Sequence, residues 1–181
     1  MVAARGGHEM PRFVAADASP LIGLAAAGIF VVLRELFGIV TITRLVKDEV
    51  NARDRLPGAR ELDAAMREGW VRVAPTPLET WQFVEIDAGE ASTLALAAQH
   101  EGALVLMDDA RGRSQAADRG LEVLDLAGLL LAAKRARLID AVQPLVSRLA
   151  RRGFTIPEDA RLALLRAADE PHAASARDRK P

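Results

Sequence analysis

Five consecutive apolar residues, Ala103-Leu104-Val105-Leu106-Met107, run without polar alternation and stop at the acidic pair Asp108-Asp109. A strand with one wet face alternates apolar and polar residues. An uninterrupted run this short instead marks a strand buried on both faces, as at the centre of a parallel sheet. Such a sheet needs helices on both sides, because parallel neighbours can be joined only by long crossovers. The flanking sequence has the required form. Short apolar pieces at Phe13 to Ala16, Ile39 to Ile42, Trp70 to Val73 and Leu121 to Leu124 read as further strands. Helical segments lie between them: Ser19 or Pro20 to Gly28, Ile29 to Phe37, a helix carrying Val46, Glu49 and Val50, Ala59 to Glu68, Gly89 to His100, and Ala110 to Arg119. Asp125 to Arg137, Asp140 to Arg151 and Pro157 to Ala168 add three more helices, and Pro75 to Glu85, with two prolines, reads as a loop. Ser19-Pro20 is read as an N-cap followed by proline at the first helical position. The expected fold class is α/β, a three-layer α/β/α arrangement around a central, mainly parallel sheet of about five strands.

The chain of 181 residues fits one domain, expected over 13–168, with a loose extension over 1–12 and a disordered charged tail over 169–181. Its 24 basic and 25 acidic residues leave a formal net charge of −1, so any nucleic-acid contact must come from a local basic rim rather than the global field. Cysteine is absent, which excludes disulfides and thiolate metal sites and is consistent with a reducing cytoplasm, the expected location. His8, His100 and His172 are scattered, which argues against a histidine-built zinc site. The most apolar stretch, Leu21 to Leu33, is too short to span a bilayer and is flanked by Asp17 and Arg34, so no membrane partner is expected.

Four acidic signals stand beside apolar segments: Asp17 after the first strand, Glu49 among Lys47 and Asp48, Glu90 at a helix start after Gly89, and Asp108-Asp109. In an open parallel sheet, ligand sites form outside the carboxyl ends of the strands, where Asp17 and Asp108 should both lie. Grouped carboxylates there suit a hard cation such as magnesium or manganese. Each acid also has a plainer role. Asp17 and Glu90 can serve helix dipoles, Glu49 can be surface charge, and of the adjacent pair one acid can cap the next helix while the other ligates.

The stretches Val14-Ala15-Ala16-Asp17-Ala18-Ser19-Pro20-Leu21-Ile22, Val46-Lys47-Asp48-Glu49, Gly89-Glu90-Ala91 with Leu94-Ala95-Leu96-Ala97, and Leu106-Met107-Asp108-Asp109 with Arg113, in this order, resemble the PIN-domain nucleases. The likeness is to a VapC-like, prokaryotic toxin-type branch. The resemblance extends through Gly128-Leu129-Leu130 and covers Phe13 to Ala168. It implies a magnesium- or manganese-dependent endoribonuclease, the toxin of a toxin–antitoxin pair, acting on RNA, neutralised by a small antitoxin and assembled as a homodimer. The resemblance places the family's first three catalytic acids on Asp17, Glu49 and Glu90 and its fourth on Asp108 or Asp109, with Asp108 favoured as the acid directly after the strand; Asp17, Glu90, Asp108 and Asp109 are the candidate metal ligands. Ser19 is a supporting hydroxyl, and Arg111 and Arg113 are candidate RNA contacts, with Arg44 and Lys134 as further members of a cationic rim. Thr43 stands where the family often has proline and Ala18 where it often has a small polar residue; neither change removes a carboxylate. Two competing readings remain. A phosphoacceptor receiver is disfavoured because its acid pair belongs near the first strand. A non-catalytic PIN-like module that binds RNA or a partner is disfavoured because all four acid positions are filled.

Overall fold

A computed structural model describes residues 13–52 and 57–171; the expected N-terminal extension and most of the expected tail lie outside the described residues. The five strands are β1 (Phe13–Ala16), β2 (Val40–Thr43), β3 (Val71–Ala74), β4 (Ala103–Leu106) and β5 (Glu122–Leu124). They form one sheet in the order β3-β2-β1-β4-β5, and every pairing is parallel. β4 runs in full register beside β1, Phe13 opposite Ala103 through Ala16 opposite Leu106. All four residues of the uninterrupted apolar strand β4 are buried, as a central parallel strand requires.

The chain first builds outward from β1 through α1 (Ala18–Ala27), α2 (Val32–Phe37), α3 (Arg44–Ala52) and α4 (Ala59–Arg67). It then returns past a 3-10 turn over Leu78–Gln82 and α5 (Ala88–Ala97) to β4, and continues through α6 (Ala110–Asp118) to β5. Right-handed crossovers put helices from the two directions of travel on opposite faces. The cores divide accordingly. Val14, Ala16, Leu104 and Leu106 point to one face, against Leu21, Leu24, Val46 and Leu62. Ala15, Val105 and Met107 point to the other, against Phe83, Leu94, Ala97 and Ala116. After β5, α7 (Leu126–Arg135) crosses back to the first face, and α8 (Gln143–Arg151) and α9 (Glu158–Ala167) complete it. This is the three-layer α/β/α fold expected from the sequence.

Several boundaries differ from the sequence reading, each for a local reason. The cap of α1 is Asp17, not Ser19: its side chain accepts the Ser19 N–H, and a carboxylate two residues earlier forms the cap before Ser19 can. The segment Pro75 to Glu85, read as loop, contains the 3-10 turn. Within Ile29 to Phe37, Phe30, Val32 and Leu33 are buried in the core, and the exposed apolar residues nearby are Val31 and Ile39. Lys134, expected on the cationic rim, lies in the last turn of α7. The helix carries it roughly 12 Å from the carboxyl edge at 1.5 Å per residue, and its ammonium meets the Asp140 carbonyl and Glu170. Glu170, assigned to the tail by composition, accepts the Val142 and Gln143 N–H groups where α8 begins.

Leu129 is fully buried on α7 where that helix closes the first core. Leu129→Ala is expected to cost about 2–5 kcal/mol, the range for leucine cavities, read as a lower denaturant midpoint with unchanged slope. A cost near zero would show that α7 is not an integral part of this core.

Candidate active site

The direction of chain travel reverses between β1 and β4: crossovers leave these two neighbours toward opposite faces. A crevice therefore opens at their carboxyl ends, the usual ligand position in an open α/β sheet. Asp17 follows β1 directly, and Asp108 follows β4 after Met107. Asp17 is 3 % exposed. Its Oδ2 accepts the Ser19 N–H at 3.4 Å, while its Oδ1 is buried with no hydrogen-bond partner. Burial pushes its pKa up to about 7, the N–H groups of Ala18 and Ser19 pull against this, and Glu49 and Asp87 add to it.

Helix α5 presents its N-terminus to the same place. Asp87 caps it through a reciprocal pair: Asp87 Oδ1 accepts the Glu90 N–H at 2.8 Å, and the Asp87 N–H donates to Glu90 Oε2 at 3.2 Å. Glu90 is buried, and burial followed by repulsion from Asp87 raises its pKa to about 7. Glu49 reaches in from α3. A methyl group at Gly89 would meet Glu49 Oε2 at 2.9 Å, Asp87 Oδ1 at 3.2 Å and Asp17 Oδ1 at 3.6 Å, so carboxylate oxygens from three elements surround one point.

A buried polar chain sets the spacing of α3 and α5. The Ser92 hydroxyl donates to the Gly89 carbonyl at 2.7 Å, and its oxygen lies 2.7 Å from Thr43 Oγ1. Serine has one hydroxyl proton, so Thr43 is the donor to Ser92. Thr43 Oγ1 in turn accepts the Val46 N–H at the start of α3. The residue that departs from the family's usual proline thus starts α3 and ties it to α5.

Asp108 and Asp109 divide their roles. Asp109 caps α6 by accepting the Gly112 N–H at 2.8 Å. Asp108 Oδ1 accepts the Leu126 N–H at 2.7 Å, and burial raises its pKa. Arg113 bonds Asp125 at 2.5 Å on the rim beside it, while Arg111 is exposed and donates to the Glu85 carbonyl. Ser19, proposed as a supporting hydroxyl, contributes its backbone N–H to Asp17. Three features escaped the sequence reading. Asp87 joins the acidic group, although the Asp87…Glu90 spacing is a legible capping signature. Asp125 caps α7, with its Oδ1 on the Gly128 N–H. Arg111, Gln115 and Arg119, four residues apart on one face of α6, bond the carbonyls of Glu85, Val84 and Gln82.

A family model described as PIN domain, DUF3368, matches residues 13–170, nearly the whole described chain. The chain belongs to this PIN-domain family. PIN domains are nuclease-type modules and typically use divalent metals. No curated protein matches the chain.

The residues of this PIN domain fit a divalent cation on two counts: the orphaned, buried Asp17 oxygen lacks a positive partner, and the space at Gly89 is lined by carboxylates. Among the described residues, no three acidic or histidine side chains already form a metal-holding group. Among the described residues no helix is long and apolar enough to cross a membrane.

The raised carboxyls give a pH dependence. Asp17 and Glu90 hold protons more tightly folded than unfolded, so between about pH 4 and 7 the native state binds more protons. Stability of the metal-free protein therefore falls as pH rises through that window and levels off above it. The shift at Asp17, from 3.8 to about 7, corresponds to roughly 4 kcal/mol at 1.36 kcal/mol per unit. Melting temperatures in chelator should drop from pH 5 to 7.5, and Asp17→Asn should flatten the slope and raise the melting temperature at pH 7.5. Parallel profiles for both proteins would contradict the buried, unpartnered carboxylate.

Proposed function

We propose that this PIN domain is a metal-dependent endoribonuclease and that it acts as the toxin of a toxin–antitoxin pair, as its VapC-like motifs suggest. The observation that carries the catalytic reading is the buried, unpartnered Oδ1 of Asp17 facing carboxylates from α3 and α5 at the crevice between β1 and β4. Asp17 and Glu49 are the central candidates to hold a magnesium or manganese ion, with Glu90, Asp108 and Asp109 around them. A divalent ion bound there supplies an activated water at neutral pH and shields charge developing on a phosphodiester.

The protein's own groups supply placement. Burial of Asp17 at the end of β1 keeps the site's dielectric low, so charge there is felt strongly. Asp109, Asp125 and Asp87 fix the three helix starts that surround the crevice. Arg44, exposed at the first position of α3, together with Arg111 and Arg113 beside the β4 end, provides the cationic rim an RNA backbone needs against an acidic centre. The same acidic centre suits an antitoxin arginine, whose planar guanidinium matches paired carboxylates. A homodimer remains part of this proposal on the resemblance alone.

The test is RNA cleavage with magnesium or manganese, with and without chelator. Cleavage should vanish on chelation. Asp17→Asn should reduce it on the order of 100-fold, the scale for removing one preorganised electrostatic group, while circular dichroism stays native. Undiminished cleavage by the protein carrying both Asp17→Asn and Asp108→Asn would overturn the mechanism, and metal-independent RNA binding without cleavage would identify a non-catalytic PIN module.

A further inference from the structure

Gly89 occupies the second position of α5 in ordinary helical backbone, with no left-handed φ to demand glycine. Glycine is among the least favourable residues in a helix, so local backbone energetics do not explain its presence. Its surroundings do. The space a methyl group would take is bounded by Glu49 Oε2, Asp87 Oδ1 and Asp17 Oδ1, and the last of these is a fully desolvated oxygen without a partner. The Gly89 carbonyl is held by both Ser92 and Thr93, so the backbone cannot readily drift to relieve a side chain placed there.

Of the other acids expected from the sequence to ligate, Glu90 and Asp108 each have one oxygen committed elsewhere. Glu90 Oε2 accepts the Asp87 N–H, and Asp108 Oδ1 accepts the Leu126 N–H. Asp87 also caps, but its Oδ1 faces the shared space beside Asp17 and Glu49, and a carboxylate oxygen has a second lone pair for another partner.

We propose that Asp87 completes a cation cradle with Asp17 and Glu49, and that Gly89 is glycine because any side chain would fill that cradle. Glu90 is then a positioning residue that holds Asp87 through the capping pair. This assignment rests on the reading of the acidic cluster as a divalent-cation site and deepens it by naming a ligand and a steric determinant.

Two substitutions separate the roles from folding. Asn is as good a helix cap as Asp, so Asp87→Asn keeps α5 while removing the charge. Gly89→Ala improves helix propensity while placing its methyl group among the three oxygens. Chelator-treated wild type and both variants are titrated with manganese chloride by calorimetry and melted with and without manganese. In chelator, Asp87→Asn should melt at or above the wild-type temperature, and Gly89→Ala should stay folded, its gain in helix propensity set against the 2.9 Å approach of its methyl group to Glu49 Oε2. Manganese should raise the wild-type melting temperature but not theirs, and each should bind manganese at least about tenfold more weakly. If Gly89→Ala fails to fold, Asp87→Asn alone decides. A wild type that binds manganese while the folded variants bind within twofold of it overturns this assignment and leaves the cation-site reading standing. A wild type that binds neither manganese nor magnesium overturns both.

Discussion

A carboxylate at the end of the innermost strand is the constraint around which this fold is arranged. Burying an ionised acid without compensation is among the most costly acts available to a folding chain. Asp17 is enclosed by its own helix α1, by the start of α5 and by the side chain of Glu49, and one of its oxygens has no partner. Sheet topology makes this enclosure unavoidable. β1 is flanked on both sides, and the crossovers leave β1 and β4 toward opposite faces, so whatever follows β1 must sit at the bottom of a crevice. An alanine there would relieve the electrostatics at once. The chain instead gathers Glu49, Asp87 and Glu90 near Asp17, an arrangement that a bound cation, as proposed above, would stabilise. The fold gives up stability at neutral pH, a trade common at functional sites.

Placement of those acids depends on uncharged groups. Thr43, Ser92 and the Gly89 carbonyl form a buried chain in which each hydroxyl proton has an acceptor, and that chain links the start of α3 to the start of α5. On the other side, the face of α6 formed by Arg111, Gln115 and Arg119 pins the irregular segment leading into Asp87, with the Arg119 guanidinium also stacked over Phe83 at 4.3 Å. An irregular segment has no ladder partners of its own, and unpaired carbonyls are costly wherever they are screened from water. Side chains spaced one helical turn apart give it a regular support. Arginines that read as phosphate contacts thus have a structural share: each guanidinium has five N–H donors, and the described bonds occupy only some of them.

The sequence made the sheet legible because its signal is local. Val14, Ala15 and Ala16 before Asp17, and five apolar residues before Asp108, announce both the innermost strands and the acids at their ends. Helix boundaries were less legible where two capping residues compete, as with Asp17 and Ser19, because only geometry decides which oxygen reaches the first free N–H groups. Lys134 looked like rim because it follows the fifth strand closely in sequence. The helix between them carries it to the opposite end, an effect of rise per residue that composition cannot show. Asp87 was passed over because it ends a stretch with no regular periodicity, although its spacing to Glu90 carried the cap signature.

What single residues could not reveal is that most of the acids have two occupations. Asp109, Asp125 and Asp87 each end a loop by accepting an N–H three residues on, and Asp17 accepts one two residues on. The starts of α1, α5, α6 and α7 therefore gather at the carboxyl edge, with their positive dipole ends directed at the acids. This offsets part of the cost of grouping negative charge and helps hold it in place. Arg113, the nearby basic residue, is engaged with Asp125 at the rim rather than with Asp17. A site built in this way stabilises its acids enough to fold while leaving the innermost oxygen unsatisfied. On the cation-site proposal, the affinity for an external cation would reside in that residual deficit, concentrated on Asp17 rather than shared equally among the acids.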